Sequence, residues 1–323
     1  LARGGRLRLS EARRWVPIER VQLEEDAGRL LHPEASGAGD GTAIDFNRSG
    51  APLAEVVFAP ELATPEEARD LLRSLQRLVR LTETGDASLA RGSLRSDANV
   101  SLRRPGQAHP GTRTEIKNLN SLRNLTRALE AEIERQRSLL EEGGHVDPQT
   151  RHFEEATGRT VASRCKEGEE DYRFLVEPDL PPLVLDPRRL ARARDSLGPR
   201  PWQLEEHLET AHGLSADVAR LLVADRELYE YFERAVEAAP ALASAVADWC
   251  RTELLHLRSE TGRPLVEIVS PVGLAGLVEA VGCGEITRRT AKELLSRLVG
   301  TGEDPLDAAA RLGLDRPLAE AAL

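Results

Sequence analysis

Apolar and polar residues follow two rhythms along this chain, and the change between them falls near residue 186. Before that point short runs alternate with a period of two: Ile18 to Glu24, Leu53 to Phe58, Ser93 to Leu102 and Thr112 to Ile116. These predict half-buried strands. Two segments in the same half carry a helical period instead. The first opens with Thr64 as N-cap, Pro65 at the first helical position and Glu67 completing a capping box, then places Leu71, Leu72, Leu75, Leu78 and Val79 on one face. The second runs from a Ser121 cap through Leu122, Leu125, Leu129, Ile133 and Leu140 to Gly143-Gly144. The Pro-rich stretch EPDLPPLVLDP at 177–187 cannot be helical and reads as an extended boundary. Beyond it, helical patterns cover 187–196, 201–211, 215–223, 226–238, 240–260, 271–281, 285–299 and 305–312. The expected class is α+β: a mixed or antiparallel-sheet domain over 1–186, followed by an all-helical region.

Composition narrows the function classes. With 40% hydrophobic and 30% charged residues in 323, the chain is globular and long enough for two or three domains. There is no apolar run long enough to cross a bilayer, and the opening LARGGRLRLS lacks the apolar core of a signal peptide, so no membrane role is expected. Cys165, Cys250 and Cys283 have no C-x-x-C spacing, which argues against a disulfide framework or a cysteine zinc site and makes a reducing cytoplasm the expected setting. The net charge of −10 is spread out, with 17 basic and 22 acidic residues from 187 onward. An RNA partner would therefore be held by local patches rather than by a general basic face. Of 44 basic residues only three are Lys, all five Asn lie between 47 and 124, and Met is absent. A sequence with no Met at all is expected to be part of a longer protein.

Four segments carry candidate chemistry. In RVQLEEDAGRL, a strand ends in Glu24-Glu25-Asp26; Glu24 and Glu25 point to opposite faces, and Glu25 shares the side of Val21 and Leu23, expected to be covered. In AIDFNRSGAPLAEVVF, Asp45, Asn47 and Arg48 precede a turn at Gly50, and Glu55 sits in an apolar strand, where a carboxylate is paired, metal-bound or on an exposed face. In RGSLRSDANVSLR, Ser93, Arg95, Asp97, Asn99 and Ser101 alternate with apolar residues, with Ser96 out of step. Asp and Asn are poor strand formers, so a face that carries both is expected to be used. In TEIKNLNSLRNL, Lys117, Asn118 and Asn120 directly precede the Ser121 helix, where free backbone N–H groups and the helix dipole favour an anion. A retained Lys in so Arg-rich a chain suggests a need for a compact point charge. Acids together with a phosphate-suited helix start describe a site for a divalent metal and a nucleotide, although neither a Walker loop nor a dinucleotide fingerprint is present. The seven His are read as structural or solvated, and no nucleophile motif stands out.

The strings QLEEDAGRL, DFNRSGAPLAEVV, PEEARDLLRSL, GSLRSDANVSLR, GTRTEIKNLNSLRNL and EPDLPPL, in this order and spacing from about 18 to 186, resemble the GatB family, one of the subunit families of bacterial aspartyl/glutamyl-tRNA amidotransferases. The resemblance implies a cradle domain over 1–186, a helical domain over 187–268 and, over 269–323, part of a tail related to the YqeY proteins. It implies a ligase that phosphorylates the side-chain carboxylate of Glu-tRNA(Gln) or Asp-tRNA(Asn) with ATP and Mg²⁺, then forms the amide with ammonia from glutamine. The partners implied are a GatA-type amidase subunit, a GatC-type small subunit, the charged tRNA and the matching aminoacyl-tRNA synthetase. Carried over residue by residue, Glu25 and Glu55 become the metal carboxylates, and Glu25, Lys117 and Asp97 the catalytic candidates. Lys117, Asn118, Asn120, Ser121 and Arg48 become phosphate-binding, with Glu24, Asp45, Asn47, Asn99 and Glu115 lining the pocket. The family's upstream G-L-E-V-H segment, with an acid and a His of the metal site, does not occur in this sequence, nor does the Cys-rich zinc cluster of some members. The sequence is expected to lack most of the tail. Where many members read E-E-G-S-L-R, this chain has Ala90-Arg91-Gly92-Ser93. A tRNA-binding scaffold without chemistry is the reading that competes.

Overall fold

In the computed structural model, residues 2–31, 43–107, 109–117, 119–163 and 184–314 are described. Two compact units result: residues 1–75 with 95–167, and residues 76–94 with 168–323.

The first unit is built from strands β1 (Ala2–Arg8), β2 (Trp15–Glu25), β3 (Arg29–Leu31), β4 (Ala43–Asp45) and β5 (Pro52–Phe58), then helix α1 (Pro65–Leu81), which runs on into the second unit. Its remaining elements are β6 (Ala98–Val100), β7 (Thr114–Lys117), α2 (Leu122–Glu141), β8 (Gln149–Glu154) and β9 (Arg159–Ala162). β2 is the centre of an antiparallel β1-β2-β5 sheet, and β3 and β4 form a separate two-stranded ribbon. β2 begins at Trp15, three residues before the predicted start. Pro17 reads as a strand breaker in sequence, but the fold carries the strand through it to a bulge between Ile18 and Arg20. Leu7, Leu9 and Val16 are buried, as are Leu71 and Leu72 on α1. The buried Asp70 joins α1 to the β1–β2 turn by accepting from the backbone N–H groups of Ser10 (3.2 Å), Glu11 (2.8 Å) and Ala12 (3.1 Å).

A second sheet has the order β6-β7-β8-β9, with β7 and β8 parallel and the other pairs antiparallel. A parallel pair needs a long crossover, and α2 supplies it, capped as predicted by Ser121, whose side chain accepts from the Asn124 N–H. Strand β6 is only three residues long, against a predicted run from Ser93 to Leu102. The alternation itself extends further: Ser93, Arg95, Asp97 and Asn99 are exposed, while Leu94, Ser96, Ala98 and Val100 turn inward, so Ser96 keeps step after all. Among the described residues β6 pairs with β7 only over Ala98 to Val100; Ser93 and Leu94 lie in a bend, and Arg95 to Asp97 belong to no strand. Beneath α2 lies a buried polar centre. The fully buried Glu132 carboxylate accepts from Arg135 (2.6 and 3.0 Å), Gln136 (2.8 Å) and Thr160 (2.7 Å), and Arg151 stands 3.4 Å away.

Among its described residues the second unit is helical: α3 (Pro187–Ser196), α4 (Pro201–His212), α5 (Ala216–Val223), α6 (Arg226–Ala238), α7 (Ala243–Trp249), α8 (Leu255–Thr261), α9 (Leu265–Ile268), α10 (Pro271–Cys283), α11 (Arg288–Leu298) and α12 (Pro305–Leu312). One continuous hydrophobic cluster runs from Leu204 to Ala309, with Phe232, Leu208, Leu222, Leu254 and Leu274 buried at its centre. The helix predicted over 240–260 is a 3₁₀ turn, α7, a π-helical turn at Cys250–Leu254 and then α8. The wider turn rotates the apolar stripe so that Trp249, Cys250, Leu254 and Leu257 are all buried. Burial also pushes the Cys250 thiol up to about 12, so it is an inert core group. No described helix is long and apolar enough to cross a membrane. Most of the Pro-rich stretch at 177–187 lies outside the described residues; Asp186 caps α3 through the Arg188 N–H.

Candidate active site

Two charged clusters form on the first unit, and one short segment contributes to both. The first is at the far end of β2. Asp26 N–H donates to the Ala51 carbonyl (2.9 Å) and the Asp26 carbonyl accepts from Gly50 N–H (3.0 Å), so the 46–51 turn is folded onto it. Gly50 has a φ of 81°, the left-handed value this turn requires. The Asp26 carboxylate, 12% exposed, lies 2.9 Å from Arg48 Nε and 3.7 Å from Arg95. Glu25 Oε1 stands beside the same turn, 3.7 Å from where a Cβ on Gly50 would be.

The second cluster stands on β6 and β7. Lys117 Nζ donates to Asp97 Oδ2 at 2.8 Å and lies 3.3 Å from Glu115 Oε1, and the other oxygen of Glu115 accepts from Thr150 on β8 at 2.9 Å. Asn99 is the cross-strand partner of Glu115 and shares its face. Partial burial acts to lower the Lys117 pKa, but the hydrogen bond and charge of Asp97, with the charge of Glu115, outweigh it and hold the ammonium above its usual value. Lys117 is a fixed cation at neutral pH.

Arg95 reaches the first cluster and Asp97 the second. Both are exposed and stand two positions apart in the segment that leads into β6, at most about 7 Å along the chain. The two clusters are thus linked through two positions of one short segment.

The predicted carboxylates do not all fall together. In the β2–β5 ladder Gln22 opposes Glu55 and donates to it at 2.8 Å, whereas Glu25 opposes Pro52. Glu25 and Glu55 are therefore on opposite faces, three rungs apart, and Glu24, two residues from Gln22, is the acid that shares the face of Glu55. All three are exposed, and the face of Val21 and Leu23 is not covered at this end, since Leu23 is 58% exposed. Asp45 and Asn47 make a local turn, in which Asp45 Oδ1 accepts from the Asn47 backbone (2.9 Å) and side chain (2.6 Å). Ser121 and Asn120 organise the start of α2: Ser121 caps it, and Asn124 donates to Asn120 (2.6 Å) and Glu155 (3.1 Å). Lys117 is held by the sheet acids Asp97 and Glu115. Asn118 lies outside the described residues.

Sequence reasoning passed over Asp26 and Arg95 as site residues, although both stand in the motifs it singled out. Their signal was weak, because a carboxylate at the end of an acidic run is usually solvated.

Residues 1–191 match the GatB/GatE catalytic domain and residues 230–323 the GatB domain. The chain is 44% identical over 306 residues to the GatB-type subunit of the aspartyl/glutamyl-tRNA(Asn/Gln) amidotransferase of Thermus thermophilus, covering 94% of this chain and 63% of that protein. It is 39% identical over 291 residues to the corresponding protein of Carboxydothermus hydrogenoformans (90% and 60% covered), and 40% identical over 305 residues to that of Rippkaea orientalis (94% and 61%). The chain thus spans about 60–63% of the length of these relatives. The catalytic-domain match covers more than half of the chain and takes in every residue of both charged clusters, so the chain belongs to the GatB/GatE family.

Proposed function

We propose that this chain carries the phosphoryl-transfer site of a tRNA-dependent amidotransferase, the activity named in its relatives. ATP donates its γ-phosphoryl group to the side-chain carboxylate of Glu-tRNA(Gln) or Asp-tRNA(Asn), releasing ADP. Ammonia then attacks the acyl carbon, the C–N bond forms and inorganic phosphate leaves. A partner amidase of the GatA type would release that ammonia from glutamine, with a GatC-type small subunit completing the complex in the cytoplasm and the cognate aminoacyl-tRNA synthetase delivering the charged tRNA.

The observation that carries this reading is that Arg95 and Asp97, two positions apart, each join one of the two charged clusters. Phosphoryl transfer needs little covalent help from the protein; it needs fixed positive charge where negative charge accumulates, and a means of holding two anions together. Lys117 supplies a fixed ammonium, and Arg95 and Arg48 supply exposed guanidinium groups. Asp97 and Glu115 position the ammonium, and Asp26 does the same for the two Arg. Glu24 and Glu55 are oxygen donors exposed on one strand face, the donor set a hard divalent cation takes, and they would hold Mg²⁺ together with phosphate oxygens. When bound, the ion would offset phosphate charge that the acids otherwise repel. In this proposal residues 1–186 form the cradle, 187–268 the helical domain and 269–323 the start of the tail.

The test is phosphate release from ATP by the full-length protein in complex with its amidase partner. Release that requires Glu-tRNA(Gln) or Asp-tRNA(Asn) is the expected result. Binding of the tRNA without release would make the protein a scaffold, and release without charged tRNA would make it a phosphohydrolase; either outcome rejects the proposal.

A further inference from the structure

Two of the histidines read from sequence as structural or solvated meet a carboxylate in the helical unit. His207 and His212 lie five residues apart on α4, a spacing that does not by itself put two side chains on one helix face. His212 is the last residue of the helix, before Gly213 in the left-handed conformation (φ 65°), and there its imidazole lies against that of His207, with ring centroids 5.4 Å apart. Glu233 on α6 faces both. One carboxylate oxygen is 3.8 Å from His207 Nε2, the other 3.5 Å from His212 Nε2, and one ligand atom from each of the three residues can be chosen so that all lie within 4.8 Å of one another.

His212 Nε2 and Glu233 Oε1 are buried from water, and among the described residues neither finds a hydrogen-bond partner. Buried polar atoms are nearly always satisfied, so such a facing pair asks for a third group between them. The backbones that carry the ligands are fixed by the core: Leu208 next to His207 and Phe232 next to Glu233 are fully buried, and the Phe232 ring meets the His212 ring edge-on at 5.6 Å.

We propose that His207, His212 and Glu233 form a binding site for a divalent transition metal of the Zn²⁺ class, which ties the end of α4 to α6. Two imidazoles and one carboxylate suit Zn²⁺, Co²⁺ or Ni²⁺ and do not suit Mg²⁺ or Ca²⁺, which take oxygen ligands. A tetrahedral ion at ~2.0–2.1 Å from each ligand holds the ligand atoms roughly 3.4 Å apart. With one ligand atom from each residue, the three already lie within 4.8 Å of one another, so the ligands close onto an ion through shifts of roughly an ångström. His207 is half exposed, which gives the ion a path from solvent and leaves room for water as a fourth ligand.

The experiment is a Co²⁺ titration of the untagged chain, followed by visible absorption, in excess Mg²⁺ to occupy oxygen-only sites. One equivalent is expected to give the d–d bands of a nitrogen-containing tetrahedral site, with Zn²⁺ displacing it. His207→Gln changes an exposed side chain and leaves the fold intact; both it and Glu233→Gln are expected to weaken binding at least tenfold. Zn²⁺ should raise the melting temperature of the wild-type chain relative to chelator and leave that of His207→Gln unmoved. Absence of saturable binding, or binding and melting behaviour equal in wild type and His207→Gln, would overturn the proposal and leave a bare His–Glu pair.

Discussion

Replacing Glu132 with Ala is the most informative single test of how the second sheet is held. Its carboxylate is fully buried and takes four hydrogen bonds: two from Arg135, one from Gln136 and one from Thr160. Arg135 is 26% exposed and can turn to water, but Arg151 is 12% exposed and would stay buried without its counter-charge. Breaking a buried ion pair from one side costs about 3–5 kcal/mol, mostly through the charge left behind. At about 1.4 kcal/mol for each factor of ten, hydrogen-exchange protection of peptides covering α2 and β8 should fall roughly 10²- to 4 × 10³-fold. The pH dependence supplies a second reading. Burial acts to raise the Glu132 carboxyl, and the hydrogen bonds from Arg135, Gln136 and Thr160 outweigh it, leaving its pKa below the ordinary value. A depressed carboxyl stabilises the fold above its unfolded pKa of about 4.3, and that contribution is lost as pH falls through the folded value. The Ala variant should therefore show a flatter acid limb. A loss of protection under about fivefold, or an unchanged acid limb, would refute the assignment of Glu132 as the charge that holds this layer together.

Further outcomes follow from other named groups. Asp70→Ala removes the acceptor of three consecutive backbone N–H groups and should cost about 1–3 kcal/mol in urea denaturation, with Asp70→Asn at the lower end. Glu67, held by two bonds from Arg14, has its carboxyl lowered to about 2 by that hydrogen bond first. It should add about 1–2 kcal/mol of stability that is present above pH ~4.5 and lost on the way down to ~2, and Glu67→Gln should remove this acid-sensitive part of the curve. Arg95→Ala should slow phosphate release while leaving the thermal midpoint within about 2 °C, because an exposed ion pair contributes under 1 kcal/mol; a large loss of stability would make Arg95 structural instead.

The helices were the most legible part of the chain. Ser121 and Thr64 caps, Pro at first helical positions and Gly stops are local chemistry, and the observed helices start and end within a few residues of the predicted positions, with the π-helical turn inside 240–260 the main surprise. Short strands with non-local partners were less legible. β1, with Gly4-Gly5 and three Arg, carries no clear alternation and is a strand because β2 pairs with it. At the site, the motifs were found but the pairings within them were not. Parity along a single strand shows that Glu24 and Glu25 face opposite ways, but which of them meets Glu55 depends on the cross-strand register, and the register depends on a bulge that no residue announces. Asp26 was passed over for a related reason: its two Arg partners come from segments 22 and 69 positions away.

The central claim, that Lys117 and its acidic neighbours form the phosphoryl-transfer site, is tested most directly with Lys117→Arg in the full-length protein with its amidase partner. The measurement is single-turnover transfer of the γ-phosphoryl group from ATP in the presence of charged tRNA. Arg keeps the charge but not the compact ammonium that reaches Asp97 and Glu115 together. The fold and tRNA affinity should be retained while transfer falls at least ~10²-fold. Transfer at a near wild-type rate would remove Lys117 from the chemistry and contradict the account.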